Sequence, residues 1–168
     1  MTDTLRWAFV GDLQIPYHDK RALDLFMQVM KKWRPHAIDV VGDVDDQLEY
    51  SSCSDGTTDE FFNKVKKEDS NPLPFIKENA DGARQFYADL RSQHKRADIH
   101  ASLGNHDIRI FKYIDKKSPD NKALVTPEFL WGLDSVGISY NMYHEPPRER
   151  FAGVHVHHGA TTTTAGLA

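Results

Sequence analysis

Three times in this chain a short apolar run stops at a glycine followed by an acid or an amide: "WAFVGD" at 7–12, "AIDVVGD" at 37–43 and "ASLGNHD" at 101–107. A brief apolar segment closed by Gly-Asp or Gly-Asn is how a buried strand reads where it enters a loop. Between the first two runs, "DKRALDLFMQVMKKWRP" sets Ala22, Phe26, Val29, Met30 and Trp33 at helical spacing, with Asp19 as N-cap and Pro35 as stop. Strand, helix and strand in that order form a right-handed unit with parallel strands. The polar strand ends then lie side by side, at the edge where open α/β sheets bind ligands.

The second strand end is the most charged. "VVGDVDDQ" places Asp43, Asp45 and Asp46 within one short loop, where like charges repel unless a cation, a donor network or solvent offsets them. Carboxylate, amide oxygen and imidazole from "GDLQ", "GDVDD", "GNHD" and the later "HVHHG" form a donor set suited to divalent Mn, Fe or Zn rather than to a thiolate site. Metal charge would neutralise the aspartates.

Further along, Ile76, Ala80, Ala83, Tyr87 and Leu90 mark a helix over 75–94 with Gly82 as its weak point. "IRIFKYIDKK" and "TPEFLWGL" read as helices, and "GISYNMY" and "FAGVHVHHG" as strands. Residues 47–74 are polar and punctuated, a surface insertion in one domain spanning 1–168. Trp33, Phe86 and Phe129 fall on helical stripes and are expected in the core.

A chain of 168 residues, 39% hydrophobic, is long enough for one core. Its net charge of −4 excludes a global basic field, so nucleic acid could be held only by a local basic patch. Cys53 is the one cysteine, which excludes an intrachain disulfide and a cysteine-based zinc site. No apolar run spans a bilayer and no signal-like segment opens the chain, so it reads as soluble, cytoplasmic and without membrane contact.

"GD-x-Q", "GD-x-x-D", "GNHD" and "HHG", in this order after strands, resemble the calcineurin-like metallophosphoesterase superfamily, whose pattern is D-x-H, GD-x-x-D, GNH-[D/E], H-G and finally GH-x-H. "DLQIPYHD" and "GNHDIRI" are similar to its bacteriophage members. The resemblance implies an α/β sandwich of mixed sheets flanked by helices. It also implies a dinuclear centre in which Asp12 and Gln14 bind the first metal, Asp43 bridges both, and Asn105 and His158 bind the second. His106 would protonate or stabilise the leaving oxygen, with Asp46 orienting its imidazole. Asp107 would support the ligands from behind, Arg109 would contact substrate phosphate, and Asp45 has no assigned role. The expected cofactors are two divalent ions, Mn²⁺ first, with Fe, Zn, Ni or Mg as alternatives. The implied reaction is phosphoester hydrolysis by in-line attack of activated water. A phosphodiester, nucleotide or nucleic-acid substrate is favoured because "DQL" replaces the "DRG" of protein phosphatases.

Two departures weaken that expectation. Gln14 stands where the family has histidine, a poorer ligand for late transition metals. No GH-x-H follows His158, and "TTTTAGLA" stops inside a helix-like stretch. The chain therefore reads as C-terminally incomplete: a fragment, a shortened and impaired or inactive enzyme, or a protein completed in trans. Self-association through an exposed sheet edge would suit the last.

Simpler explanations exist for each motif. "GDVDD" alone could be an acidic turn, or Asp43 and Asp45 the nucleophile and acid of an aspartyl-phosphate enzyme, which would leave "GNHD" unexplained. Asn105 and His106 could cap the following helix. Arg109 could be a solvated helix residue, and His18, His155 and His157 surface groups.

Overall fold

The structure, a computed structural model, describes residues 4–50, 73–146, 148–151 and 154–158. Its elements are β1 (Trp7–Val10), α1 (Lys20–Trp33), β2 (Ala37–Val40), a 3-10 turn (Leu48–Tyr50), α2 (Leu73–Gln93) and β3 (Asp98–Ser102). They are followed by α3 (Arg109–Lys117), a 3-10 turn (Pro119–Asn121), α4 (Pro127–Trp131), β4 (Ser139–Asn141), β5 (Arg148–Phe151) and β6 (Val154–Val156). The four-stranded sheet runs β1-β2-β3-β4 and is parallel throughout, not mixed, because a helix crosses over between each pair of neighbours. "FAGVHVHHG" contributes to a hairpin rather than to one strand: β5 and β6 pair antiparallel in a separate two-stranded sheet.

In register, Ala8, Ile38 and Ile99 form one row across the sheet, while Phe9, Asp39, His100 and Ser139 form the next. Successive residues face opposite sides of a strand, so one face is apolar and the other polar. The apolar face joins Ile76, Ala80, Ala83, Phe86, Tyr87 and Leu90 of α2 in a single core. Gly82 does not interrupt α2; a Cβ there would come 2.7 Å from Ile15 Cγ2, so the glycine makes room for the loop after β1.

α1 begins at Asp19, whose carboxylate accepts from the N–H groups of Arg21 and Ala22 at 2.9 and 3.3 Å. It is turned differently from its expected stripe. Leu23, Phe26, Met27 and Met30 pack on the core, whereas Val29 is 46% and Trp33 43% exposed. Two overlapping apolar stripes share Phe26 and Met30, and packing selected the one that buries Leu23 and Met27 and leaves Trp33 outside. Phe86 is buried as expected, and Phe129 is half-buried against the core.

The polar face is where the hairpin is anchored. Asp39, fully buried, accepts from Trp7 Nε1 and from Arg150 Nε, the latter at 2.8 Å, and Arg150 Nη1 lies 2.8 Å from Asp98 Oδ2. Burial pushes the Asp39 carboxyl up, while the hydrogen bond from Trp7 and the charge of Arg150 hold it down. Arg148 Nη1 donates to His100 Nδ1 at 2.9 Å, and His100 Nε2 contacts Asn141 Oδ1 at 2.7 Å. Arginine only donates, so His100 is the neutral tautomer protonated at Nε2. These ties hold β5 and β6 over the sheet, which decides where His158, two positions past the end of β6, can reach. No described helix is long and apolar enough to cross a membrane.

Candidate functional site

Hydrogen bonding between neighbouring chain segments continues beyond the ends of β1 and β2. Asp12 N–H donates to Gly42 O at 3.0 Å, Gln14 N–H to Asp43 O at 2.9 Å, Ile15 N–H to Val44 O at 2.8 Å, and Asp46 N–H back to Ile15 O at 3.0 Å. The two loops therefore form one unit, with Asp12 and Asp43 in adjacent turns. Asp12, Gln14, Asp43 and Gln47 all have left-handed backbone, with φ of 53°, 52°, 51° and 48°. Each such residue costs on the order of 1–2 kcal/mol relative to its right-handed state, least for aspartate. Four of them in two loops is a concentration of strain of the kind found at functional sites.

Asp12, Asp43 and His158 each offer a ligand atom, and these atoms lie within 4.8 Å of one another. His158 Nδ1 lies 2.6 Å from Val41 O. A carbonyl only accepts, so Nδ1 carries a proton and Nε2 is the ring atom that faces the cluster. That Nε2 sits 3.2 Å from Asp43 Oδ2 and 3.2 Å from Asn105 Oδ1. An imidazole nitrogen, a carboxylate oxygen and an amide oxygen thus converge beside the exposed Asp12 carboxylate, contacts that either a proton on Nε2 or a cation bound among them satisfies. Two glycines permit it. A Cβ on Gly42, whose φ is 79°, would lie 2.6 Å from the His158 ring, and one on Gly104 would lie 2.0 Å from Asp43 Oδ1.

Beside this cluster, His106 Nδ1 lies 2.7 Å from Asp46 Oδ1, and the His106 backbone N–H donates to Asp43 Oδ1 at 2.8 Å. Arg109 Nη2 donates to His106 Nε2 at 2.9 Å while its Nη1 donates to Asp46 O at 2.8 Å. The guanidinium is therefore not solvated in isolation; it closes a three-residue unit with the imidazole and the aspartate.

Behind the cluster, Asp107 is buried and accepts from three backbone N–H groups: Gly104 at 2.7 Å, Asp43 at 2.8 Å and Asp45 at 2.9 Å. Burial pushes its carboxyl up to about 6 against those donors, with the Asp43 charge adding to the rise. Asp45, which had no role by sequence, is buried and accepts from Trp131 Nε1 at 2.9 Å and Gln47 Nε2 at 3.3 Å. An aspartyl-phosphate role for Asp45 conflicts with that burial. Gln47 Oε1 in turn accepts from Ile110 N–H at 2.8 Å. Neither Asn105 nor His106 caps α3; its N-cap is Ile108 with no side-chain bond, and Gln47 supplies an acceptor from across the fold. Gln47 and Tyr50 are buried, so the segment expected as a surface insertion begins inside the protein, and 51–72 lie outside the described residues. No local signal marks Asp45 or Gln47, because their partners are 86 and 63 residues away.

Of the residues singled out by sequence, Asp12, Asp43, Asn105 and His158 meet in one cluster, and His106, Asp46 and Arg109 form the adjoining unit. Gln14 joins through its backbone bond to Asp43. His155 is exposed, in line with its surface reading, whereas His157 is only partly exposed and its ring lies 6.2 Å from that of Tyr143. Gly159 and the "TTTTAGLA" stretch lie outside the described residues.

Among known proteins, the chain is 25% identical over 114 residues to the Gene 54 protein of Mycobacterium phage D29. That alignment covers 68% of this chain and 40% of the phage protein, so the chain spans less than half of that relative's length. No protein-family model matches the chain, and no solved structure matches it.

Proposed function

We propose that this chain is a metal-dependent phosphoesterase of the calcineurin-like type, acting on phosphodiesters in preference to phosphoproteins. The observation that carries the reading is His158: its Nδ1 proton is committed to Val41 O, which turns Nε2 toward the Asp43 carboxylate and the Asn105 amide. Such a cluster at the carboxyl ends of parallel strands, beside a His106–Asp46 pair, suits phosphoryl chemistry. The mycobacteriophage relative supports a bacteriophage-type origin.

The donor set fits divalent cations, Mn²⁺ first. Asp12, Gln14 and Asp43 would hold one ion, and Asp43, Asn105 and His158 a second. Bound cations supply Lewis-acid polarisation of a phosphoryl oxygen and lower the pKa of water. The chain's own residues do the rest. Asp46 keeps a proton on His106 Nδ1 and stabilises the imidazolium, so that Nε2 can deliver a proton to the leaving oxygen. Arg109 is within reach to clamp a phosphate oxygen, for which its Nη2 must leave His106 Nε2. Asp107, through its three backbone bonds, keeps the Asp43 and Asn105 loops together.

That same Arg109 bond to Nε2 favours a second reading, a metal-binding domain without turnover. Calorimetric titration with MnCl₂ and hydrolysis of bis(p-nitrophenyl) phosphate separate the two. Phosphoesterase activity predicts Mn²⁺-dependent turnover that falls about 10³-fold in Asp43→Ala and about 10²- to 10⁴-fold in His106→Ala. Mn²⁺ binding with no turnover supports the second reading, and absence of both removes the metal site altogether.

A further inference from the structure

At the opposite end of the sheet, where the strands begin, the surface is cationic. Arg6 precedes β1, Lys31, Lys32 and Arg34 close α1, and Lys95 and Arg96 lie between α2 and β3. All but Lys32 line a groove of about 740 Å³, and Lys32 shares with Lys31 and Arg34 an adjoining depression of about 570 Å³. None of the residues lining either is acidic. This is a chain of net charge −4, so six cations gathered without a carboxylate are not a sample of its average surface.

Nor are they spent on ion pairs. Among the described residues, Arg6, Lys31, Lys32, Arg34, Lys95 and Arg96 have no salt-bridge partner. Arg6 Nε donates to Arg34 O at 3.0 Å, which fixes its stem and not its charge. The nearest carboxylate in sequence, Asp98, is held 2.8 Å from Arg150 Nη1. Complementing the dipoles of α1 and α2 would use one or two cations in each last turn. That accounts for Lys31 and Lys32 and leaves Arg6, Arg34, Lys95 and Arg96 unexplained. The groove is larger than one phosphate, and Trp33, 43% exposed, stands in sequence between Lys32 and Arg34 although it lines neither depression.

We infer that this groove binds a single-stranded nucleic acid through its phosphodiester backbone, independently of the carboxyl-end cluster. Spaced cations track successive phosphates, and an exposed aromatic ring stacks a base without regard to sequence. Asp12 lies six positions beyond Arg6, roughly 20 Å of extended chain, so the groove is a second surface and not part of the metal cluster.

The test is fluorescence anisotropy of a labelled 20-nucleotide oligothymidylate, titrated with the full chain in EDTA so that turnover plays no part. Binding is expected to weaken about 50-fold between 50 and 200 mM KCl, the slope for about four single-strand phosphate contacts. Two variants on separate sides of the groove, K31E/K32E and K95E/R96E, are each expected to weaken binding at least tenfold and to flatten the salt dependence. The reversal K112E/K116E on α3 is expected to change it less than twofold. Circular dichroism identifies a variant that fails to fold, in which case the other decides. Absence of binding at 100 µM protein in 50 mM KCl overturns the proposal. So do equal affinities in wild type and the groove variants, an equal loss in K112E/K116E, or binding of anionic phospholipid vesicles without binding of the oligonucleotide.

Discussion

The two ends of the parallel sheet are made from the same strands and differ in every physical respect. At the carboxyl end, Asp12, Asp43, Asn105 and His158 gather possible ligand atoms in one cluster, in loops with four left-handed residues, and Gly42 and Gly104 leave room for the close approaches. At the amino end, six lysines and arginines line a groove and the depression beside it with no carboxylate, on backbone that is ordinary apart from the left-handed Arg34 cap. A parallel sheet sends all its strand starts one way and all its strand ends the other, so loop chemistry of one kind collects at each end. Charge segregation in this protein follows from that topology. The acidic end is built tightly, with backbone donors committed to Asp107 and Asp43, whereas the basic end consists of long side chains on a preformed surface.

The largest expected effect comes from cutting the tie between the hairpin and the sheet. Arg150→Ala leaves Asp39 buried with its ion-pair partner removed, which should cost about 3–5 kcal/mol in urea denaturation. Because the hairpin carries His158, Mn²⁺ affinity should fall as well, and Asp98, released from Arg150 beside Lys95 and Arg96, should weaken oligonucleotide binding in the same variant. Unchanged Mn²⁺ affinity would show that the hairpin does not place His158. Next in size is Trp131→Phe, which removes a donor from buried Asp45 and should cost about 1–3 kcal/mol, read by the same denaturation. Rescue by Asp45→Asn in the Trp131→Phe background would assign the cost to the carboxylate left one donor short.

The smallest effect concerns pH. Burial pushes the His100 imidazole below its ordinary pKa, with the Asn141 hydrogen bond opposing and the charges of Arg148 and Arg150 adding to the fall. The unfolded chain then binds the proton more readily than the folded one, so stability from this group is present above about pH 6.5 and lost as pH falls below it. Wild type should therefore lose more stability between pH 7 and pH 5 than His100→Gln, measured as the difference in unfolding free energy. A steeper loss in the variant would reverse the assigned direction.

Much of the carboxyl end was legible in the residues themselves. Short apolar runs closed by Gly-Asp and Gly-Asn located Asp12, Asp43 and Asn105, because strand ends and left-handed turns carry a local composition. The first amphipathic helix was legible as an element and not as a face: Trp33 was expected in the core and lies at the surface, since two apolar stripes overlap on α1. Asp45 and Gln47 could not be read at all, because burial and hydrogen bonding to Trp131 and Ile110 depend on segments far along the chain. The basic groove was invisible for a similar reason, its cations being spread over three separate stretches.

What the sequence by itself determined is therefore the periodicity of the elements, their alternation, and which residue types stand where strands end. These are properties of neighbouring residues, set by side-chain spacing and backbone preference. What only the tertiary structure decided is which distant groups meet: His158 with Asp43, Arg150 with Asp39, Gln47 with the first turn of α3, and Arg6 with Lys95 and Arg96 around one groove. Those meetings depend on how the crossovers and the hairpin pack, and packing is a property of the whole chain.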